Sequence, residues 1–142
     1  MLKFLLILLL GCLSCAHSGP DVEAVDLAIR EIMQAQAASW NEGKLDGYMR
    51  HYWRSGNLTF HGGKQSYRGW ETLKGMYGES YPEGKQGELT FSELEIKVLS
   101  DEYAFVLGQW TVEMPDTVKE GRFTVIFRKL DQGWRIIHDH SS

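Results

Sequence analysis

The apolar residues of the chain change their spacing once, and this change constrains the fold more than any other sequence feature. Over residues 21–40 they recur at helical spacing, with Asp21 as the expected N-cap. Two shorter helical patterns follow, over residues 45–53 and 70–81. From residue 89 onward, apolar residues alternate with polar ones, as in a strand with one buried face. Helices followed by strands predict an α+β fold, with the helices on one face of an antiparallel sheet.

Four long strands are expected in the second half of the chain. Three have alternating apolar residues over 89–98, 104–114 and 123–127, and the fourth is the closing stretch GWRIIHDHSS. A bulge is expected near Ser92 and Glu93. LTFHGG and KQSYRG should form a short hairpin earlier in the chain. Curved strands around a long helix predict a cone-shaped roll with a central pocket.

The first residues have the pattern of an export leader. Lys3 precedes an apolar run over residues 4–10, which is far shorter than the ~20 residues that span a bilayer. LLGC at positions 9–12 resembles the lipobox of bacterial lipoproteins, which predicts a lipid anchor on Cys12, with Cys15 as the alternative. A cleaved signal without lipid is the other reading. We expect residues 1–17 to be leader and tether, and residues 18–142 to be one exported domain. As a lipoprotein it would lie on the periplasmic side of a bacterial membrane, and without the lipid it would be periplasmic or secreted.

Composition excludes two classes of protein. Both cysteines lie in or beside the leader, so no disulfide framework can hold the domain together. The remaining residues, about 120, are enough to bury a core. The net charge is -4 and no basic stripe is present, which argues against a nucleic-acid partner.

Histidines are the candidate polar groups of the pocket. His138 and His140 share one strand face with Trp134 and Ile136, so that face should point inward. His61, at the end of LTFH, is the third candidate catalytic residue. We expect His140 to meet the ligand and His138 to be buried and structural. Structural or turn-flanking histidines are the alternative reading for all three.

The rest of the predicted pocket is mostly aromatic. Gln36 lies on the apolar stripe of the first helix, where it faces either the pocket or, at the edge of the stripe, solvent. The predicted lining consists of Gln36, Trp40, Tyr48, Tyr52, Trp53, Tyr77, Trp110 and Val125. Such apolar pockets with a few polar groups bind small amphipathic molecules.

Metal and nucleophilic chemistry are weighed against the same residues. The His138-x-His140 pair together with His61 has a spacing that zinc can use, but no acidic or thiol partner is spaced with them. No serine lies in a strand-turn-helix elbow of G-x-S-x-G type. We therefore predict no metal and no cofactor.

The register of the last hairpin depends on its loop. A three-residue loop over 131–133 sets Arg128 and Thr124 beside the histidines. A loop of even length sets Phe127 and Val125 there instead. The second register is preferred because it unites the apolar faces of both strands.

Four segments, SWNEGKLDGYM, LTFHGG, YRGW and GRFTVIFRKLDQGWRIIHDHSS, together resemble the SnoaL-like proteins of the nuclear transport factor 2-like superfamily. The closing GWRIIHDHSS is also similar to the end of the association domain of calcium/calmodulin-dependent kinase II. The resemblance implies a cone-shaped α+β roll with a deep pocket. It does not imply one reaction, because the superfamily includes ketosteroid isomerases, polyketide cyclases, dehydratases and associating domains.

The resemblance argues against standard ketosteroid isomerase chemistry. Aligned on NEGKLDG, the oxyanion tyrosine of the isomerase falls near Gln36, its carboxylate base near His61 and its second oxyanion donor near Val125. A valine cannot donate a hydrogen bond to a developing oxyanion. A histidine base would still suit proton transfer near neutral pH.

Two functions are consistent with these patterns. The first is an exported domain that binds a small amphipathic ligand and, if it is an enzyme, catalyses a proton transfer of isomerase, dehydratase or cyclase type. The alternative is a non-catalytic association or sensor module. It would form a homodimer through the outer face of its sheet, where Phe105 and Leu107 lie.

Overall fold

The structure is a computed structural model that describes residues 19–142. Cys12 and Cys15 lie outside the described residues, so the leader and the lipid anchor stay predictions. Among the described helices, none is long and apolar enough to cross a membrane.

The first helix, α1, spans Val22–Asn41 and begins where the sequence predicts. The Asp21 carboxylate accepts a 3.0 Å hydrogen bond from the Ala24 backbone N–H and so caps the helix. The buried residues form one stripe: Val25, Ile29, Met33, Gln36 and Trp40. At the other end, the Asn41 side chain accepts from the Leu89 N–H at 2.7 Å and donates to its carbonyl at 3.1 Å. These two bonds fix the end of α1 on the neighbouring strand.

Two shorter helices and six strands complete the described part of the chain. Helix α2 spans Leu45–Met49 and α3 spans Trp70–Ser80. The strands are β1 Thr59–Gly62, β2 Gln65–Arg68, β3 Glu88–Val98, β4 Tyr103–Met114, β5 Thr117–Leu130 and β6 Gly133–Ser141. They form one sheet in the order β2-β1-β6-β5-β4-β3, in which only the β1–β6 pair is parallel. The helices pack on this curved, unclosed sheet, which confirms the predicted α+β cone.

A bulge bends β3 at the predicted place. The pairing with β4 shifts between Ser92 and Glu95, and Glu93 has a φ of 53°. A bulge adds one unpaired residue and increases the local bend and twist of a strand. Beyond it, the apolar residues Leu94, Ile96 and Val98 pack against the core.

A second bulge, in β6, decides which side chains face inward. Asp131 and Gln132 form an even, two-residue loop, because Leu130 pairs with Gly133. Phe127 then lies opposite Ile136, as preferred from the sequence. The next β5 residue, Ile126, pairs with His138, so Ile137 is the extra residue.

The β6 bulge corrects the predicted register of the closing residues. The prediction that Val125 and Phe127 lie beside the histidines is wrong, because Ile126 and Thr124 are opposite His138 and His140. Val125 instead pairs with Asp139. Val125, Phe127 and Asp139 are buried, so the inner face of β6 continues through the aspartate.

Candidate functional site

A cavity of about 290 Å³ lies between the helices and the inner face of the sheet. This volume is at the lower end of the range of small-molecule pockets, roughly 300–1,000 Å³. Its wall is rich in aromatic side chains. They come from the three helices, from the residues that follow α2 and α3, and from strands β1 to β5: Trp40, Tyr48, Tyr52, Phe60, Tyr67, Tyr77, Tyr81, Phe91, Trp110 and Phe123. Gly108 makes room for Phe123, since a methyl group there would lie 2.5 Å from that ring.

Asp139 is the carboxylate of the cavity. Its side chain is only 4% exposed, and its Oδ2 atom accepts a 2.7 Å hydrogen bond from the Tyr52 hydroxyl. Its Oδ1 atom accepts a 3.0 Å bond from the Ser141 hydroxyl. Within residues 19–142 it forms no ion pair. The carboxyl is therefore held by hydroxyl groups alone in a mostly apolar wall.

Three tyrosine hydroxyls lie in a row beside Asp139. Those of Tyr48 and Tyr52 are 3.3 Å apart, and Tyr48 donates to Tyr77 at 3.4 Å. Since Tyr52 donates its one proton to the carboxylate and Tyr48 donates its own to Tyr77, no continuous proton relay runs through them. Tyr77 has no assigned acceptor for its own proton among the described residues, so that proton is free to bind a ligand. The Gln36 amide, 1% exposed, donates a 3.3 Å bond to the Tyr48 carbonyl and so fixes α2 against α1.

Burial shifts the pKa of these groups in the directions that proton transfer needs. It raises the pKa of Asp139 from 3.8 to about 6, while the bonds from Tyr52 and Ser141 and the charge of His140 act in the opposite direction. Burial and, secondarily, the negative charge of Asp139 raise the pKa of Tyr48 to about 12. For Tyr52 and Tyr77, burial again comes first and raises the pKa well above 10.0. At neutral pH the aspartate can accept a proton, and the tyrosines are hydrogen-bond donors.

Seven residues of the sequence-predicted lining surround this cavity: Gln36, Trp40, Tyr48, Tyr52, Tyr77, Trp110 and Val125. The eighth, Trp53, does not line it, and that prediction is wrong. Trp53 lies in a separate surface groove with Trp70 and Arg135. The reason is local, because Tyr52 and Trp53 are consecutive residues of an extended segment beside Ile136 and point to opposite sides.

The prediction that His61, His138 and His140 face the cavity is also wrong. The β6 bulge turns His138 and His140 to the outer face of the sheet, and His61 is exposed on the same face. There the His61 ring lies 5.5 Å from that of His138 and 6.2 Å from that of His140. Within residues 19–142, no group of three or more His, Cys, Asp or Glu side chains is arranged to hold a metal ion.

Hydroxyl groups hold two of these histidines at the surface. The Nδ1 atom of His138 lies 2.7 Å from the Thr59 Oγ1, and that of His61 lies 2.7 Å from the Ser66 Oγ. Partial burial lowers the pKa of His138, and the nearby His61 and His140 lower it further. His138 is therefore only partly buried, and His140 is exposed on the outer face, outside the lining of the cavity.

Sequence reasoning missed Asp139 because simple alternation assigns it to the outer face. One signal was present, since Ile136 and Ile137 are adjacent apolar residues that break the alternation just before the aspartate. With the bulge placed there, the acidic group moves to the inner face opposite Val125. Val125 is also where the isomerase resemblance lacked a donor, and its partner on the neighbouring strand carries a carboxyl group.

Comparisons with known proteins give one family. The model of the SnoaL-like domain matches residues 29–142. A search of curated proteins found no significant match.

Solved structures include similar chains from several bacteria. An NTF-2 like protein of unknown function from Shewanella oneidensis MR-1 is 34% identical, with a TM-score of 0.79 over 83% of this chain and 98% of its own. An NTF2-like superfamily protein from Salmonella enterica serovar Typhimurium LT2 is 23% identical, with a TM-score of 0.71 over 84% and 91%. An NTF2-like protein of unknown function from Pseudomonas putida KT2440 is 16% identical, with a TM-score of 0.71 over 84% and 87%. The last two similarities show the fold alone.

Proposed function

The chain belongs to the SnoaL-like domain family, whose fold is a ligand-binding scaffold, and from this premise we propose that it transfers a proton on a small amphipathic ligand. The ligand occupies the aromatic cavity, and Asp139 is the base. The observation that carries this proposal is the buried Asp139 carboxyl in the cavity wall, hydrogen-bonded at 2.7 Å to the Tyr52 hydroxyl. Perturbed acids in concave pockets are frequent in active sites.

The reaction that fits these groups is proton abstraction next to a carbonyl. Asp139 takes the proton from the carbon, and the electron pair of the broken C–H bond moves to the carbonyl oxygen. The Tyr77 hydroxyl donates a hydrogen bond to that oxygen as negative charge develops on it. Returning the proton to the same or another carbon completes an exchange or an isomerisation. A base with a pKa of about 6 is mostly ionised at neutral pH yet stronger than an ordinary aspartate.

Deuterium exchange tests this proposal directly. The domain of residues 18–142 is incubated with 1-tetralone, a bicyclic ketone, in buffered D2O at pH 7, and loss of the signal of the hydrogens next to the carbonyl is followed by NMR. We expect exchange above the buffer rate, and a loss of roughly 100-fold or more in Asp139→Asn. Asp131→Asn, in the exposed β5–β6 loop, is the matched control. Exchange that is equal in wild type and Asp139→Asn would refute the role of Asp139.

Export and lipid anchoring form a separate part of the proposal. It is supported by LLGC at residues 9–12 and by an apolar run too short to span a bilayer. Full-length protein expressed in bacteria should incorporate labelled palmitate and sediment with membranes. Cys12→Ser should abolish both effects, and Cys15→Ser should not. Membrane association that survives in both single variants would count against a lipid anchor on Cys12.

A second candidate function is association through the outer face of the sheet. Leu107 is 38% exposed there, on the same face of β4 as Phe105. Exposed apolar groups on a sheet face are frequent in protein interfaces. Sedimentation equilibrium of the domain should give a dimer that Leu107→Lys dissociates. Leu27→Lys, on a residue of α1 that is 59% exposed, is the control. A monomer at all concentrations would exclude this function.

A further inference from the structure

We infer that the ligand of the cavity is a carboxylate-bearing molecule that enters with its neutral, carbonyl end first and keeps its carboxylate at Lys119. This inference rests on the proposed function and adds the class of ligand and its orientation. Two of the residues that line the cavity carry charge at neutral pH, Asp139 and Lys119. Their positions in the sheet set the polarity of the site.

Lys119 lies on the inner face of the sheet, at the mouth of the cavity. It is the cross-strand partner of Val112, which is buried and lines the cavity, and paired residues share a face. Its ammonium group lies 5.1 Å from the centroid of the Tyr81 ring, which closes the other side of the mouth. A cation over an aromatic face is held in place without losing its charge.

The charge of Lys119 is available for a ligand. Within residues 19–142, no carboxylate lies within 4.0 Å of it, whereas Lys44, Lys74 and Lys97 each have such a partner. The side chain is exposed, so an anion can reach it from solvent. A ligand carboxylate at the mouth would therefore gain an attraction that a neutral ligand lacks.

Asp139 lies deep in the cavity, at the opposite end from Lys119. It is opposite Val125, six residues after Lys119 on β5. Six strand residues extend roughly 20 Å. The length of the lysine side chain and the curvature of β5 shorten the separation, so the ligand should be on the order of 10–15 Å long. The aromatic wall between the two ends favours a ring-bearing body.

The two charges exclude the opposite orientation. A carboxylate placed in the apolar depth of the cavity would be desolvated beside a second carboxylate, which is unfavourable on both counts. At the mouth it stays partly hydrated and faces Lys119. The other polar groups of the cavity include hydrogen-bond donors that suit a carbonyl oxygen: the tyrosine hydroxyls and the indole N–H groups of Trp40 and Trp110, which have no partner among the described residues.

A matched pair of ligands tests the inference. The probes are 6-acetylnaphthalene-2-carboxylate and its methyl ester, which carry the ketone at one end of the ring system and the carboxylate or ester at the other, and which differ in charge. Binding to the domain of residues 18–142 is measured at pH 8 by quenching of tryptophan fluorescence, since Trp40 and Trp110 line the cavity. We expect the acid to bind roughly 3- to 30-fold more tightly than the ester, as for a partly exposed charged hydrogen bond.

Variants separate the charge effect from the shape of the cavity. Lys119→Met should remove the preference for the acid while leaving ester affinity within about twofold. Lys119→Glu should make the ester the better ligand. Lys129→Met, near the opposite end of β5, is the control and should change neither affinity.

The outcomes distinguish this inference from the proposed function. Equal affinity of acid and ester in wild type, or equal weakening of both by Lys119→Met, would overturn the inference alone. In that case the ester should still exchange deuterium with wild type and lose this exchange with Asp139→Asn, which would leave the proposed function standing. Failure of both probes to bind, together with no exchange of 1-tetralone, would overturn both.

Discussion

The Tyr52 hydroxyl donates a 2.7 Å hydrogen bond to the Oδ2 atom of Asp139, although the two residues are 87 positions apart in the sequence. The bond joins the segment after α2 to the last strand, and the backbone of Tyr52 also bridges to Ile136. A buried carboxylate without an ion pair is unfavourable unless hydrogen bonds compensate for lost water. Tyr52 is therefore the main partner that keeps Asp139 inside the cavity.

Removing this hydroxyl should destabilise the domain more at high pH than at low pH. Tyr52→Phe leaves an ionised, buried oxygen without its donor at pH 8, and the pKa of Asp139 should rise above its wild-type value of about 6. We expect a loss of about 1–3 kcal/mol in the free energy of unfolding at pH 8 and a smaller loss at pH 4. Urea denaturation at both pH values measures the difference.

The control for this variant is Tyr103→Phe, since the Tyr103 hydroxyl has no assigned side-chain hydrogen bond in the described chain. Its effect should be small and equal at both pH values. A loss in Tyr52→Phe that does not depend on pH would mean that the hydroxyl contributes packing alone.

Asp139→Asn should gain stability relative to wild type as the pH rises. The pKa of Asp139 is about 6 in the fold and 3.8 in the reference state, so the folded protein binds more protons between these values. Wild-type stability is therefore lost as the pH rises from about 4 to about 6, and the loss approaches about 3 kcal/mol above that range. The asparagine variant has no carboxyl group at this position and so does not lose stability in this way. Urea denaturation of both proteins from pH 4 to pH 8 measures the stability difference between them.

Other titrating groups cancel in this comparison because both proteins contain them. Asp131→Asn, which removes one carboxyl group from the exposed loop, is the control for losing a charge outside the cavity. A constant difference between Asp139→Asn and wild type across the range would show that Asp139 titrates as an ordinary carboxyl.

The bond between Thr59 and His138 should couple β1 to β6. Their Oγ1 and Nδ1 atoms are 2.7 Å apart on the outer face of the only parallel pair in the described sheet. A double-mutant cycle with Thr59→Val and His138→Phe at pH 8 should give a coupling energy of about 0.5–1.5 kcal/mol. Thr124 and His140 are also cross-strand partners, but no side-chain hydrogen bond joins them. A coupling as small as that of a Thr124–His140 cycle would contradict the prediction.

Removing a neighbouring histidine should raise the pKa of His138. Burial lowers it first, and His61 and His140 lower it further through like-charge repulsion. We expect the His138 imidazole to titrate at a higher pH in His61→Ala than in wild type, by proton NMR. His51→Ala should leave the titration unchanged, because repulsion from His51 does not contribute to the shift. Saturation with 1-tetralone should also leave it unchanged, since His138 lies outside the cavity.

Local patterns determined most of the fold. Helical spacing over residues 21–40 predicted α1 to within one residue of its observed end, and Asp21 caps the helix as expected. Alternation predicted the strands and their buried residues as far as Phe127. Both predictions succeed because each element has one side toward the core and the other toward solvent along its whole length. The spacing of its apolar residues then follows from its own helix or strand geometry.

Tertiary structure decided which polar residues belong to the site. One extra residue, Ile137, reverses the faces of the last four strand positions, so alternation predicts His138 and His140 where the fold has Asp139. A bulge is set by how β5 and β6 pair over the curved core, and the adjacent apolar residues Ile136 and Ile137 hint at a break in the alternation without fixing which residue is left unpaired. The hydrogen bond between Tyr52 and Asp139 could not be predicted for the same reason, because it depends on how distant segments pack together. The sequence determined a cone with an aromatic cavity, whereas strand pairing alone decided that its buried ionisable group is a carboxylate instead of an imidazole.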